Sequence, residues 1–154
     1  MNRVHTIVAV ATAALASGSA IASAQAGGAV AHASRSTEVL LRHTNLGSIL
    51  TTSSGFTVYE FTRDHGTADN CVRIHGCAQT WPPLETSGQP KAGPGVKSSL
   101  LSSIRISGGA LQVTYAGHPL YTYSADSRGA TDYVGANAFG GSWYALSSTG
   151  RTVK

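Results

Sequence analysis

Between Ala110 and Tyr115 the chain alternates, with Leu111, Val113 and Tyr115 at every second position. Side chains along a strand point to opposite faces with period two, so these three share one face. Ala116-Gly117 supplies a turn and His118-Pro-Leu-Tyr-Thr-Tyr123 returns, which predicts a β-hairpin. An earlier segment has the same form: Ile49 to Thr52 leads through Ser53-Ser54-Gly55 into Phe56-Thr-Val-Tyr-Glu-Phe61. Tyr59 and Phe61, like Tyr121 and Tyr123, sit two apart and share a face. Pro119 lacks an N–H, which places it at an edge or entry position. Each hairpin is followed by a Gly-rich loop and then a tryptophan. Trp81-Pro82-Pro83 is predicted to be extended, because proline fixes its own φ and restricts the residue before it. Trp143-Tyr144-Ala145-Leu146 reads as a strand that turns at Ser147–Gly150 into a last short strand near Thr152-Val153. A helical period shows only weakly, at Lys97–Ile104.

Sliding the chain against itself by 62 positions gives a gapless match of Gly55–Gly88 over Gly117–Gly150. Gly55 meets Gly117, Tyr59 meets Tyr121, Asp64 meets Asp126, Ala68 meets Ala130 and Val72 meets Val134. Further along, Trp81 meets Trp143, Leu84 meets Leu146, and Phe61 meets Tyr123 as one aromatic for another. Both tryptophans of the protein fall on this register. Self-similarity at a fixed period means one structural unit built twice. The expected fold is all-β: two pseudo-symmetric hairpin-based repeats in one small β domain, with at most one short helix. The repeats run over about 46–88 and 108–150 within a domain spanning 44–154. Glu85–Gly95, rich in Gly, Pro and Ser, reads as the link between them. Residues 27–43 read as a small-residue linker whose end offers a further strand at Glu38–Leu41.

The N-terminus reads as an address. Met-Asn-Arg precedes an apolar run from Val4 to about Ala16 and then small residues, the pattern of a secretory signal peptide over residues 1–26. Cleavage is expected near Ala24 or Ala26. No internal run approaches the roughly 20 apolar residues of a membrane helix. The 154 residues suit one domain, and 11 Lys+Arg against 7 Asp+Glu are too scattered for a nucleic-acid stripe. An oxidising compartment makes Cys71 and Cys77 a disulfide. Its small loop contributes ~2 kcal/mol in the chain-entropy model, so its main task is to fix local shape.

Tyr59-Glu-Phe-Thr-Arg-Asp64 and Tyr121-Thr-Tyr-Ser-Ala-Asp126 share the pattern Tyr-x-(Phe/Trp/Tyr)-x-x-Asp. With Cys71, Cys77-Ala78 and Trp81-Pro82-Pro83-Leu84 downstream, residues 44–150 resemble the bacterial "secreted repeat of unknown function" family of predicted lipoproteins. The resemblance implies a secreted or envelope-associated β-repeat domain, with cell-envelope components as partners, and implies no reaction. Two features depart from the family: there is no lipobox cysteine, and the cysteine spacing is wider than Cys-x3-Cys, with His75 inside the loop.

Three constellations bear chemistry. His65, His75, Asp64, Asp69 and the two cysteines lie within fourteen residues, a set able to hold copper or zinc if the sulfurs were free. A bridged pair removes the thiolates, which favours a solvated loop. Tyr59, Phe61, Tyr121, Tyr123, Trp81 and Trp143 offer a face for stacking sugars or quinone-like ligands, although aromatic pairs at strand spacing are more often core. Asp64 and Asp126 present two carboxylates, the minimum for a glycosidase. Their equivalent places past two strand ends favour a repeated structural cap that accepts backbone N–H groups. No nucleophile elbow, phosphate loop or zinc-protease helix occurs. The expected function is therefore a non-catalytic exported binding or structural module, with no cofactor. The alternative is a metal-binding or redox accessory protein using the His65–Cys77 loop.

Overall fold

The computed structural model describes residues 36–154 apart from Thr67, and the expected signal peptide, its cleavage sites and the start of the linker lie outside those residues. Eleven short strands form three sheets among the described residues. The first two, β1 (Glu38–Thr44) and β2 (Gly47–Thr52), pair in antiparallel fashion around a two-residue turn, with β5 (Lys91–Ala92) parallel to β1. A second sheet has β10 (Gly141–Leu146) at its centre. On one side of it lies β3 (Tyr59–Phe61), and it also pairs with β9 (Ala136–Ala138) and β11 (Thr152–Val153). The third sheet is built on β7 (Leu111–Tyr115), which pairs with β6 (Leu101–Arg105), β4 (Glu85–Thr86) and β8 (His118–Pro119).

The two predicted hairpins form, each with its own turn. Ala116 and Gly117 both have positive φ, 50° and 85°, as a type I′ turn requires between Tyr115 and His118. In the first hairpin the loop is longer. Thr52 N–H donates to Phe56 O at 2.9 Å and Gly55 N–H donates to Thr52 O at 2.9 Å, with Gly55 at φ 88°. The strand expected over Trp143–Leu146 forms, starting two residues earlier at Gly141, and the last short strand stands at Thr152–Val153 as the pattern put it.

Other segments differ from expectation. Lys97–Ile104 is no helix: Ser98–Leu100 makes a single 3-10 turn and Leu101 starts β6. Its apolar spacing imitates a helix, but β7 presents an unpaired edge beside it and the ladder takes the segment. Among the described residues the one α-helical turn is Cys77–Thr80. The strand offered at Glu38–Leu41 runs on to Thr44, so the domain's first strand occupies the last residues read as linker. The link Glu85–Gly95 contributes both β4 and β5, fastening one edge of each outer sheet.

Two clusters make the core. One is aliphatic and packs Val39, Leu50, Val58, Leu101, Val113, Leu120 and Leu146 around Tyr115. The other gathers Tyr59, Phe61, Trp81, Tyr121, Trp143 and the two cysteines. Val39 and Leu101, both buried, are 62 residues apart. The correspondence thus extends upstream to β1 and β6, beyond the repeat boundaries at 46 and 108.

Candidate functional site

The motif residues meet at the centre of the domain. Tyr59 N–H donates to Tyr121 O and Tyr121 N–H donates to Tyr59 O, both at 2.9 Å. Each tyrosine thus pairs with its own counterpart in the other copy. Any hydrogen-bonded antiparallel pair exchanges both bonds; here the two partners are also counterparts, as they would be beside a two-fold axis. Neighbouring contacts follow suit. Thr62 N–H donates to Ser142 O and Ser124 N–H to Thr80 O, both at 3.0 Å, and each partner differs from its counterpart by 62 positions. The contacts are consistent with two copies related by a pseudo-two-fold axis.

The same exchange governs the carboxylates. Tyr59 donates its hydroxyl proton to Asp126 Oδ2 at 3.0 Å, and Tyr121 donates to Asp64 Oδ2 at 2.7 Å. Each copy's tyrosine therefore holds the other copy's aspartate. Asp64 Oδ1 also accepts the Asn70 N–H at 2.8 Å, the backbone bond expected of a cap. The cross-copy bond is the part sequence reasoning missed, because Tyr59 and Asp64 look like neighbours in one motif. Burial pushes Asp64 up to about 6 despite the opposing donors Tyr121 and Asn70. Burial likewise raises Asp126, against the Tyr59 hydroxyl. Both tyrosine hydroxyls are held well above their ordinary range, first by burial and then by the facing carboxylate.

The rings form a column. Trp81 and Trp143 stack with centroids 4.1 Å apart and planes 3° apart. Phe61 lies on the outer face of Trp143 at 4.1 Å and Tyr123 lies against Trp81 at 4.5 Å, with Tyr133 beyond it at 4.0 Å. Tyr59 meets Trp81 edge-on at 5.1 Å, as Tyr121 meets Trp143 at 5.2 Å. Tyr59, Phe61, Trp81, Tyr121 and Trp143 are buried, so they form core and present no ligand face. Tyr123 alone of the six is half-buried.

Cys71 and Cys77 form the disulfide, with Cα atoms 5.3 Å apart, and pack into the aromatic cluster. Under the 62-residue shift their places fall to Tyr133 and Phe139, which pack against the same cluster. Neither sulfur is a thiolate, and His65 and His75 are both exposed. Among the described residues no group of three or more His, Cys, Asp or Glu side chains is placed to hold a metal ion.

One polar pair was not singled out from the sequence. Glu60, 4% exposed in β3, receives His118 Nδ1 on Oε2 at 2.7 Å and the Thr152 hydroxyl on Oε1 at 2.6 Å. The hydrogen bond to Glu60 raises the His118 pKa, against the opposing effect of burial. Alternation along Phe56–Phe61 gave a weak signal, since Glu60 lies between two aromatic positions on a strand buried on both faces. Beside the ring column, a cleft of about 400 Å³ opens between Phe56 and Tyr123, with Thr122, Ser124 and Asp126 along it.

The segment that carries the second copy decides the comparison with known proteins. Residues 102–147 match the model of a family described as a secreted repeat of unknown function. No curated protein and no solved structure matches the chain. The matched segment begins inside β6 and ends just past β10. It takes in Tyr121, Tyr123, Asp126 and Trp143, one full half of the central exchange. The match thus begins within the β6–β7 hairpin, upstream of the position 108 read from the sequence. Its description as secreted supports an extracellular location, and no helix among the described residues is long and apolar enough to cross a membrane.

Proposed function

We propose that this chain is an exported, non-catalytic module that works by binding or by structural support at the cell envelope. The observation that carries the reading is the reciprocal bonding of the motif. Its two tyrosines and two aspartates, the groups best suited to acid–base chemistry, are engaged in joining the copies. A general acid or base needs a proton-transfer partner within reach in a substrate-accessible place. Asp64 and Asp126 instead face tyrosine hydroxyls that hold their protons, which supports a cap that clamps two halves together. The disulfide, in a chain whose residues 102–147 match a family described as secreted, fits an oxidising compartment.

The test is native mass spectrometry of the protein recovered from culture supernatant, with and without chemical reduction. The expected result is a mature chain beginning after Ala24 or Ala26, lighter by two hydrogens than its reduced form. A chain confined to the cytosol with both thiols free would overturn the reading.

A further inference from the structure

We infer that the cleft between Phe56 and Tyr123 is a binding site for an uncharged pyranose ring of an oligosaccharide, an inference that rests on the binding form of the function proposed above.

The argument starts from a difference between the two copies. Moving 62 positions along the chain takes Phe56 to His118, Thr122 to Glu60 and Ser54 to Ala116. At that second place the space is filled. His118 Nδ1 lies 2.7 Å from Glu60 Oε2, and the Thr152 hydroxyl closes on the other carboxylate oxygen at 2.6 Å. Gly150 packs so tightly on Ala116 that a β-carbon there would lie 2.2 Å from that of Ala116. The C-terminal turn and β11 thus cover one of two corresponding places. At the other, the same fold leaves a cleft of about 400 Å³, within the size range of small-ligand sites. Packing does not require the opening, because the fold closes its counterpart.

The lining specifies the ligand. Phe56 and Tyr123 are half-buried rings, and Tyr123 is held between Trp81 and Tyr133. The exposed part of a ring so held is a rigid apolar surface, offered at little entropic cost. Thr122 and Ser124 place hydroxyls beside the rings, and Asp126 at the cleft is oriented by Tyr59. Apolar ring surface that packs on C–H groups, together with hydroxyls that exchange hydrogen bonds, matches the two kinds of surface on a pyranose. The charges do not favour an ion. Asp126 lines the cleft and the Arg128 guanidinium carbon lies 5.9 Å from the Phe56 ring centroid, so both signs of charge stand at it. At Ser54 the cleft adjoins a second depression of about 530 Å³, flanked by Glu38 and Lys91, again one of each sign. Two adjoining depressions suit a chain of sugars better than a single one.

The test uses the oxidised full chain, with cellotetraose, maltotetraose and chitotetraose as probes. Amide resonances would be followed by NMR and affinities measured by calorimetry. At least one probe is expected to shift the amides of Phe56, Thr122 and Ser124, with a dissociation constant in the micromolar to millimolar range. Phe56→Ala should weaken that binding at least tenfold. Ser124→Trp, at an exposed position, should block it while leaving the melting temperature unchanged. Absence of binding by all three probes, or binding that survives both substitutions, overturns the site but leaves the non-catalytic reading standing. Cleavage of a bound probe would support the site and overturn the non-catalytic reading.

Discussion

Trp81 and Trp143 lie face to face with their planes 3° apart, each being the other's counterpart under a shift of 62 residues. Each indole also touches one ring on its outer face and one edge-on, so the two occupy matching environments. Truncating a buried tryptophan to alanine costs about 3–5 kcal/mol, a large part of the stability of a small domain. Trp81→Ala and Trp143→Ala are expected to destabilise by amounts within about 1 kcal/mol of each other, and the double variant by less than their sum. Urea denaturation measures all three. One substitution being tolerated while the other unfolds the chain would contradict the matching environments.

The crossed tyrosine–aspartate bonds make a second prediction. Tyr121→Phe removes the donor from a carboxylate that is largely buried, which costs about 1–3 kcal/mol. Tyr59→Phe should cost less, because its bond to Asp126 is longer, 3.0 Å against 2.7 Å. In Tyr121→Phe/Asp64→Asn the loss should fall well short of additivity, since both changes remove one interaction. The informative control pairs residues of the same motif copy: Tyr59→Phe and Asp64→Asn should add. Coupling within a copy and additivity between copies would reverse the assignment.

Much of this was legible in the sequence, and what escaped has a common cause. Alternation and turn residues located the hairpins around Gly55 and Gly117, the strand at Trp143 and the burial of both tryptophans, because those signals are local. The 62-residue match identified Tyr59 with Tyr121 but not the contact between them, since self-similarity carries no information about which copy supplies a partner. Strand β6 was lost to an apolar spacing at Leu100, Leu101 and Ile104 that a helix would also produce. The strands β4 and β5 are two residues each, too short to show a period. Glu60 escaped because its burial depends on His118 and Thr152, both far along the chain.

Stability should fall as pH rises from about 4 to 8. Asp64 has its pKa raised from 3.8 to about 6 by burial, so the folded state binds its proton more tightly than the unfolded state. Its contribution is complete below 3.8 and is lost as pH rises through 6. Asp126, raised from the same ordinary value, acts in the same direction. His118, raised from 6.5 by its bond to Glu60, adds a contribution complete below 6.5 and lost as pH climbs through its higher folded value. His118 is partly exposed, so solvent screening limits that last share to about 1 kcal/mol. Melting temperatures across the range should decline in two segments. Asp64→Asn should flatten the acidic one and His118→Phe the neutral one. A profile that rises towards pH 8 would contradict both assignments.

The disulfide should stabilise modestly and resist reductant. Cys71 and Cys77 are fully buried, so a reducing agent reaches them only when the loop opens. Cys71→Ser/Cys77→Ser is expected to cost about 2 kcal/mol, the scale for a short closed loop. Reduction kinetics, followed by thiol titration at increasing urea, should accelerate with denaturant in parallel with opening. Rapid, urea-independent reduction would mean the bridge is accessible in the native protein.

Neither half should fold alone. Residues 98–154 contain Tyr121, Trp143 and Asp126, but the groups that satisfy them, Asp64, Trp81 and the Tyr59 hydroxyl, lie in residues 36–97. Strand β10 likewise lacks its neighbour β3, and β7 lacks β4. A fragment of under sixty residues has little surface to bury even when complete, and here its largest rings would face water. Each fragment by itself should therefore show no cooperative thermal transition and no near-ultraviolet circular dichroism. Mixed at equal concentration, with the disulfide formed in the first, they should recover both, because the contacts to be made are the reciprocal ones already present in the intact chain. The recovered signal should depend on concentration as a bimolecular association requires. A fragment 98–154 that melts cooperatively on its own would show that the unit matched by the family model is self-sufficient, and that the crossed bonds join two finished halves instead of completing them.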